Sequence, residues 1–281
     1  MPNYKITPVG KMPGGQDGAI YGDYFFRFNG SGGGRVYDAK TLAPLAPIAL
    51  EKSDLIKMHS NAVVFGTEKY DSTDEFPLLY SNVYNNYSKE TERRCGTAGV
   101  YRILHNGEEW STVLVQVIRI AFTENTIWRS ANVNDVRPYG NFVVDTDKNK
   151  LYAFTMRDEA QTTRYFRFAL PACRAGEMSE YYGVPVLSLT EGDLEACFDA
   201  PYSHFIQGAT YFKGQIWSVE GFGGAKNAPR LQIIDLATGK QYGDVSFYNL
   251  AMDVEPECIT IRDGDILYSD AHGNTYKIQE L

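Results

Sequence analysis

Gly18-Ala19-Ile20-Tyr21, Gly22-Asp23-Tyr24-Phe25-Phe26, Arg35-Val36-Tyr37-Asp38 and Lys40-Thr41 are echoed much later in the chain. The echo runs Gly208-Ala209-Thr210-Tyr211, Gly214-Gln215-Ile216-Trp217-Ser218, Leu231-Gln232-Ile233-Ile234-Asp235 and Ala237-Thr238-Gly239. Both runs read strand, tight turn, strand, glycine-rich loop, strand, turn. Apolar, β-branched and aromatic residues dominate the strand positions, with Gly and Asp at the turns. Self-similarity at a spacing of tens of residues is the mark of a repeat architecture.

Three more copies follow the same grammar. One is Cys258-Ile259-Thr260-Ile261, Ile266-Leu267-Tyr268-Ser269 and Thr275-Tyr276-Lys277-Ile278. Another is Asn141-Phe142-Val143-Val144, Leu151-Tyr152-Ala153-Phe154 and Tyr165-Phe166-Arg167-Phe168. The most distorted is Asn61-Ala62-Val63-Val64-Phe65, Phe76-Pro77-Leu78-Leu79-Tyr80 and Gly99-Val100-Tyr101-Arg102-Ile103. A fourth strand follows four of the copies, at 47–50, 112–120, 185–189 and 244–248. The last copy has none, while Tyr4 to Val9 is a strand that belongs to no copy.

This pattern predicts an all-β fold, a five-bladed β-propeller closed by the N-terminal strand pairing with the last blade, which removes an open sheet edge. The expected blades are 16–50, 58–122, 136–190, 204–250 and 254–281 with 3–9, all in a single domain. The chain of 281 residues allots about 56 to each blade, above the usual range of roughly 40 to 50. The surplus sits in long loops at 84–99 and 171–185, and long loops in compact domains are often functional.

The composition supports this reading and narrows the partners. Aromatics make up 14% of the chain, with 20 Tyr, which suits pleated, half-buried surfaces. A net charge of −8 supplies no clustered Lys and Arg to replace phosphate counterions, so no nucleic acid is expected. No run approaches the roughly 18 apolar residues that span a bilayer, so no membrane insertion is expected. Met1 to Gly10 carries no signal-peptide pattern. Cys95, Cys173, Cys197 and Cys258 lack zinc-site spacing, so buried reduced thiols are expected, with Cys173 to Cys197 the least implausible pair if a disulfide forms.

In such a ring, the loops leading into the first strands and the ends of the second strands meet at one mouth of the central channel. The first set brings Gln16, Asp17, His59, Asn61, Tyr139, Asn141, Gln207, Glu255 and Glu257. The second brings Arg27, Asn29, Ser81, Asn82, Thr155, Arg157, Glu220, Asp270 and His272. A concave site with converging polar groups is a default ligand site. The expected ligand-binding residues are Gln16, Asp17, His59, Asn61, Asn82, Tyr139, Asn141, Arg157, Gln207, Glu220, Glu257, Asp270 and His272. Loop aromatics at Tyr84, Tyr87, Tyr139, Tyr181, Tyr182 and Phe222 would add stacking surfaces for a sugar or peptide. No cofactor is expected. Asp17, Glu220, Glu257 and Asp270 offer oxygen ligands for calcium, without the sequential spacing of a calcium loop. No GxSxG elbow is present for a serine nucleophile.

Phe205-Ile206-Gln207-Gly208, Tyr211, Gly214, Ile216-Trp217, Glu220-Gly221, Gly223, Leu231 and Asp235-Leu236-Ala237-Thr238-Gly239 together resemble a blade of the bacterial and plant glutaminyl cyclase family. That resemblance implies a five-bladed propeller in which Glu220 is the catalytic acid and base closing an N-terminal glutamine to pyroglutamate. His59-Ser60-Asn61, Phe65 to Tyr70 and Glu75 to Tyr80 are similar to uncharacterised propeller proteins of gut bacteria, and no activity follows from that likeness. Three readings therefore stand: a non-enzymatic recognition propeller that binds a glycan or peptide at the mouth, a cyclase centred on Glu220, and a structural or virion-associated scaffold.

Overall fold

The computed structural model describes residues 4–13, 15–83, 96–123, 141–157, 160–202, 205–262 and 264–280. Strand β1 is Tyr4–Lys11. Blade one is β2 (Gly18–Tyr21), β3 (Tyr24–Phe28), β4 (Gly33–Asp38) and β5 (Pro44–Ala49). Blade two begins with β6 (Val63–Phe65), β7 (Leu79–Val83), β8 (Thr97–Asn106) and β9 (Glu109–Ile120). The next strands are β10 (Phe142–Asp145), β11 (Lys150–Arg157), β12 (Thr162–Ala169), β13 (Glu177–Ser179), β14 (Val184–Leu189) and β15 (Ala196–Pro201). Blade four is β16 (Ile206–Phe212), β17 (Gln215–Glu220), β18 (Arg230–Asp235) and β19 (Lys240–Ser246). Blade five holds β20 (Pro256–Arg262), β21 (Asp265–Asp270) and β22 (Asn274–Glu280).

These strands form five antiparallel-built sheets, and β1 completes the fifth in the order β1-β22-β21-β20. Ile6 stands opposite Ile278 and Pro8 opposite Tyr276, with a bulge before Gly10 pairs with Thr275. The ring is thus closed by the chain's own beginning, as the unpaired last copy in the sequence requires.

Period-two alternation explains why the sheets stack around an axis. Within one strand, neighbouring side chains enter different seams. Leu151 and Ala153 pack in the seam between blades two and three, whereas Tyr152, Phe154 and Met156 pack between blades three and four. Val219 and Ile233 join Ile259 and Tyr268 between blades four and five. Phe26 and Phe28 meet Leu79 and Tyr101 between blades one and two, and Phe25 and Tyr37 meet Cys258 across the closing seam. Each blade is therefore apolar on both faces, and the core is five inter-blade layers.

The third blade departs from expectation. The segment 185–189 does not form its outer strand. Instead β14 runs parallel to β9, Val186 opposite Val117 and Leu189 opposite Ile120. Together with β13 it extends blade two to six strands. The outer strand of blade three is β15, so this blade continues to Pro201, past the expected limit at 190. Charge favours the exchange. Strand β12 presents Arg164 and Arg167, and only the later segment answers them. Asp199 accepts from Arg164 Nε at 2.6 Å and Nη2 at 2.8 Å, and Glu195 from Arg167 Nε at 3.2 Å. Val-Pro-Val-Leu-Ser-Leu at 184–189 offers no acid. Phe198 also stacks on Tyr165, with ring centroids 5.2 Å apart. The insertion before β14 is tied to blade two by Gln116, whose Nε2 donates to the carbonyls of Ala172 and Ala175.

Cys173, Cys197 and Cys258 are free thiols, as the default reading of the cysteines has it, and the alternative pairing of Cys173 with Cys197 does not form. Cys173 lies against Glu68, which accepts its backbone N–H at 3.0 Å, while Cys197 sits on the outer strand β15. Cys95, His204 and the loop tyrosines Tyr84 and Tyr87 lie outside the described residues.

Candidate binding site at the channel mouth

The inner strands β2, β6, β10, β16 and β20 contact one another around the axis. At their far end Ile20, Val64, Val144, Thr210 and Ile261, one from each, line a cavity of about 350 Å³. At the near end, the mouth, the corresponding position of every blade carries a polar side chain: Asp17, Asn61, Asn141, Gln207 and Glu257. All five are buried. In blades four and five this residue sits at a β-bulge, between Ile206 and Gly208 and between Pro256 and Cys258. A bulge takes its extra residue out of the ladder and re-aims the side chain.

Asp17 works as a strut. Its Oδ2 accepts the backbone N–H of Val63 at 3.0 Å and its Oδ1 that of Ile259 at 3.2 Å, so one carboxyl joins blades one, two and five. Burial pushes its pKa up to about 8, against the lowering by the N–H groups of Val63, Gly18 and Ile259. The site leaves no room beside it. A Cβ on Gly208 would come 2.9 Å from the Glu257 carbonyl oxygen and 3.3 Å from Asp17 Oδ1, a close approach that requires glycine.

Glu257 is its counterpart in blade five. Burial pushes its pKa up to about 8, helped by the charge of Glu255 and opposed by Arg27 and the Gln16 amide. Its Oε2 is buried with no hydrogen-bond partner. Burial also raises Glu255, whose Oε1 accepts from Gln207 Nε2 at 2.7 Å. Arg27 is itself buried, and its guanidinium is committed to backbone carbonyls, Met12 at 2.8 Å, Gln16 at 3.3 Å and Gly15 at 3.5 Å.

Across the ring, Asn82 Nδ2 donates to Asn141 Oδ1 at 2.8 Å, and Asn82 Oδ1 accepts the N–H of Ala62 at 2.7 Å. Asn61 Oδ1, Asn141 Nδ2 and Gln16 Oε1 are buried without a partner, as is Glu257 Oε2. His59 and Gln16 are neighbours over Gly30, where an added methyl would meet both. Burial lowers the His59 pKa and so favours its neutral ring.

The remaining expected residues make contacts of their own. Glu220 is buried at the end of β17, with its Oε1 accepting from Ser218 Oγ at 3.0 Å and Arg230 Nε 3.9 Å from its Oε2. Asp270 caps its own turn, accepting the N–H groups of His272 and Asn274, each at 2.9 Å. Asn29 does the same in blade one for Ser31 and Gly33. His272 is exposed on that turn. Arg157 is drawn to Asp199 on the outer strand at 3.4 Å. Tyr139 lies outside the described residues. Among the aromatics, Phe222 is exposed in the loop after β17 and stacks edge-on with Phe205. Tyr181 and Tyr182 instead line a groove on the outer edge of blade two with Met178 and Arg119.

Among the described residues no three Asp, Glu, His or Cys side chains converge as metal ligands. Of the four acids expected as oxygen ligands for calcium, Asp17, Glu220, Glu257 and Asp270, Asp17 spends its oxygens on amides of two other blades and Asp270 on donors of its own turn. Ser218 and Arg230 are the residues sequence reasoning missed. Both were legible in principle, Ser218 two positions before Glu220 on the same strand face and Arg230 directly opposite it on β18.

No protein-family model matches the sequence, and no curated protein matches it. Among solved structures, the chain is similar to the glutaminyl cyclase of Myxococcus xanthus, at 12% identity, over 98% of this chain and 95% of that one, with a TM-score of 0.51. It is also similar to a Thermus thermophilus protein described as an oxidoreductase (glucose dehydrogenase), at 10% identity over 99% and 100% of the two chains, with a TM-score of 0.48. A third is Sqt1 of Saccharomyces cerevisiae, at 8% identity over 92% and 55%, with a TM-score of 0.38. At 12% identity, the likeness to the cyclase shows the propeller fold alone.

Proposed function

We propose that this propeller is a non-enzymatic recognition module that binds a glycan or a peptide at the channel mouth. The observation that carries the reading is the ring of one buried polar side chain per blade, with Asn61 Oδ1, Asn141 Nδ2 and Glu257 Oε2 lacking a partner. An unpaired buried polar atom costs about 1–3 kcal/mol, which a matched ligand recovers on binding. Asp17, whose oxygens are held by backbone N–H groups, and Asp270, held by two backbone N–H groups and the Asn274 amide, serve as fixed struts. Phe222 at the rim supplies an exposed ring for stacking.

Screening the protein on glycan and peptide arrays tests the reading. A bound ligand should lose roughly tenfold or more in affinity in Asn141→Ala, since a buried directional contact goes. Arg157→Ala, which removes an outer-flank ion pair, should leave affinity unchanged. Equal affinity in the wild type and Asn141→Ala would remove the mouth as the site.

A second reading rests on Glu220, a buried carboxyl with a hydroxyl donor and an arginine beside it. If it acts as the acid and base of a glutaminyl cyclase, an N-terminal glutamine peptide loses ammonia above the spontaneous rate, and Glu220→Gln abolishes the loss. Mass spectrometry decides it, and a rate equal to the spontaneous one ends this reading.

A further inference from the structure

We propose that the cavity at the far end of the channel, opposite the mouth, is a second binding site, one that takes a small uncharged aromatic molecule with a single N–H or hydroxyl. It is separate from the site at the mouth and suits a ligand of different chemistry.

Room is the first observation. The cavity of about 350 Å³ lies where the five inner strands end. Small-molecule sites span roughly 300 to 1,000 Å³, and an apolar cavity of about 150 Å³ already admits benzene, so a two-ring molecule has space here. Of its lining residues, Ala19, Val64, Val144 and Thr260 are buried and form the floor. Tyr21, Phe65 and Tyr211 keep exposed surface and form the rim.

The lining sets the charge of the ligand. Among the described residues no Asp, Glu, Lys, Arg or His lines the cavity, in a chain where 22% of residues are charged. An ion entering would leave water for walls that offer no counter-charge. A sugar would press several hydroxyls against Ala19, Val64 and Val144, which cannot bond them. Water against the same side chains is equally short of partners, and its displacement by an apolar group favours binding.

The rim sets the shape. Tyr21 and Phe65 lie tilted with ring centroids 5.3 Å apart, and Phe65 is braced edge-on by Phe26 at 5.6 Å. Tyr211 is fixed from blade four, its hydroxyl donating to Asp147 Oδ2 at 2.7 Å and accepting the N–H of Gly214 at 2.9 Å. Rings held in place before binding lose little freedom on contact, and aromatic pairs attract beyond the area they bury.

The floor asks for one polar group. Thr260 is 4% exposed, and its hydroxyl makes no hydrogen bond among the described residues. Thr67 on the same wall differs, since its Oγ1 donates to Asn149 Oδ1 at 2.6 Å. A ring N–H or a hydroxyl on the ligand supplies the partner that Thr260 lacks.

Titration calorimetry on the full chain with indole, 3-methylindole, indene, indole-3-carboxylate and tryptamine tests this. Indole should bind saturably and 3-methylindole about as well, whereas the two charged analogues, substituted at the same position, should bind roughly tenfold or more weakly. Indene, which lacks the N–H, should bind roughly threefold or more weakly than indole. Thr210→Trp places a ring inside the cavity and should abolish indole binding. Thr260→Val should keep both ligands bound while cancelling the preference for indole over indene, and it decides the matter if Thr210→Trp fails to fold. Asn141→Ala, at the mouth, should leave indole binding unchanged. The proposal is overturned if indole does not bind saturably, if the charged analogues or indene bind as well as indole does, if Thr260→Val retains the preference, or if Asn141→Ala removes indole while a folded Thr210→Trp retains it. None of these outcomes removes the mouth as the site for a glycan or peptide, whose affinity Thr210→Trp should leave unchanged.

Discussion

Asp17 and Glu257 show how one position in the repeat is put to two uses. Both begin an inner strand, both are buried, and burial raises both to about 8. Asp17 satisfies both oxygens with amides 46 and 242 positions away along the chain. Glu257 keeps one oxygen unmatched. The sequence displayed both as polar residues entering a strand. It did not reveal the difference, because the amides that convert Asp17 into a strut belong to other blades.

The raised acids make a prediction about pH. A carboxyl raised from 4.5 to about 8 keeps its proton in the folded protein over that window while the unfolded chain has lost it. Stability is then fully present below the window and falls as the pH rises through it. The melting temperature should therefore decline between about pH 5 and pH 9, and Glu257→Gln should melt higher than wild type at the alkaline end and have a shallower decline. Scanning calorimetry across that range checks it; identical slopes for the two proteins would show that Glu257 titrates normally.

At the scale of elements, alternation and turn residues made most strands legible. The six-stranded second sheet was not legible, because its two extra strands come from the loop of another blade and join it through a parallel pairing. Apolar pattern alone favours 184–189 over Ala-Cys-Phe-Asp-Ala-Pro as an outer strand. Arg164 and Arg167 on β12 favour β15 instead, because Asp199 and Glu195 stand beside them there. Asp199→Ala should lower stability by about 1 kcal/mol or less, the usual worth of partly exposed ion pairs, and leave ligand affinity alone. Urea denaturation of the variant measures the first and calorimetry the second; a loss of several kcal/mol would mean that Asp199 holds the third blade together rather than helping to choose its edge.

On the scale of the whole molecule, the ring brings residues from five distant stretches to one opening, and β1 is what closes it. Its partner β22 would otherwise be an open edge, with a row of unpaired backbone groups. Deleting residues 1–10 should lower the melting temperature and produce oligomers in light scattering, and a peptide of residues 3–11 added in trans should reverse both. A truncated chain that stays monomeric and melts as the full chain does would show that the seam packing of Phe25, Tyr37 and Cys258 suffices. This closure was the most legible feature of all, since a final copy lacking a strand and a strand lacking a copy stand at opposite ends of the sequence. The mouth was legible as a place and not as a geometry. Arg157 and Asp270, expected there as ligands, are held by Asp199 and by their own turn.

A crystal structure of the protein soaked with whichever sugar or peptide it binds most tightly is the most direct measurement of the central claim. The ligand is expected at the mouth, within hydrogen-bond distance of Asn61, Asn141 and Glu257. A ligand found instead in the far cavity beside Val64 and Val144, or in the blade-two groove beside Tyr181, would contradict it.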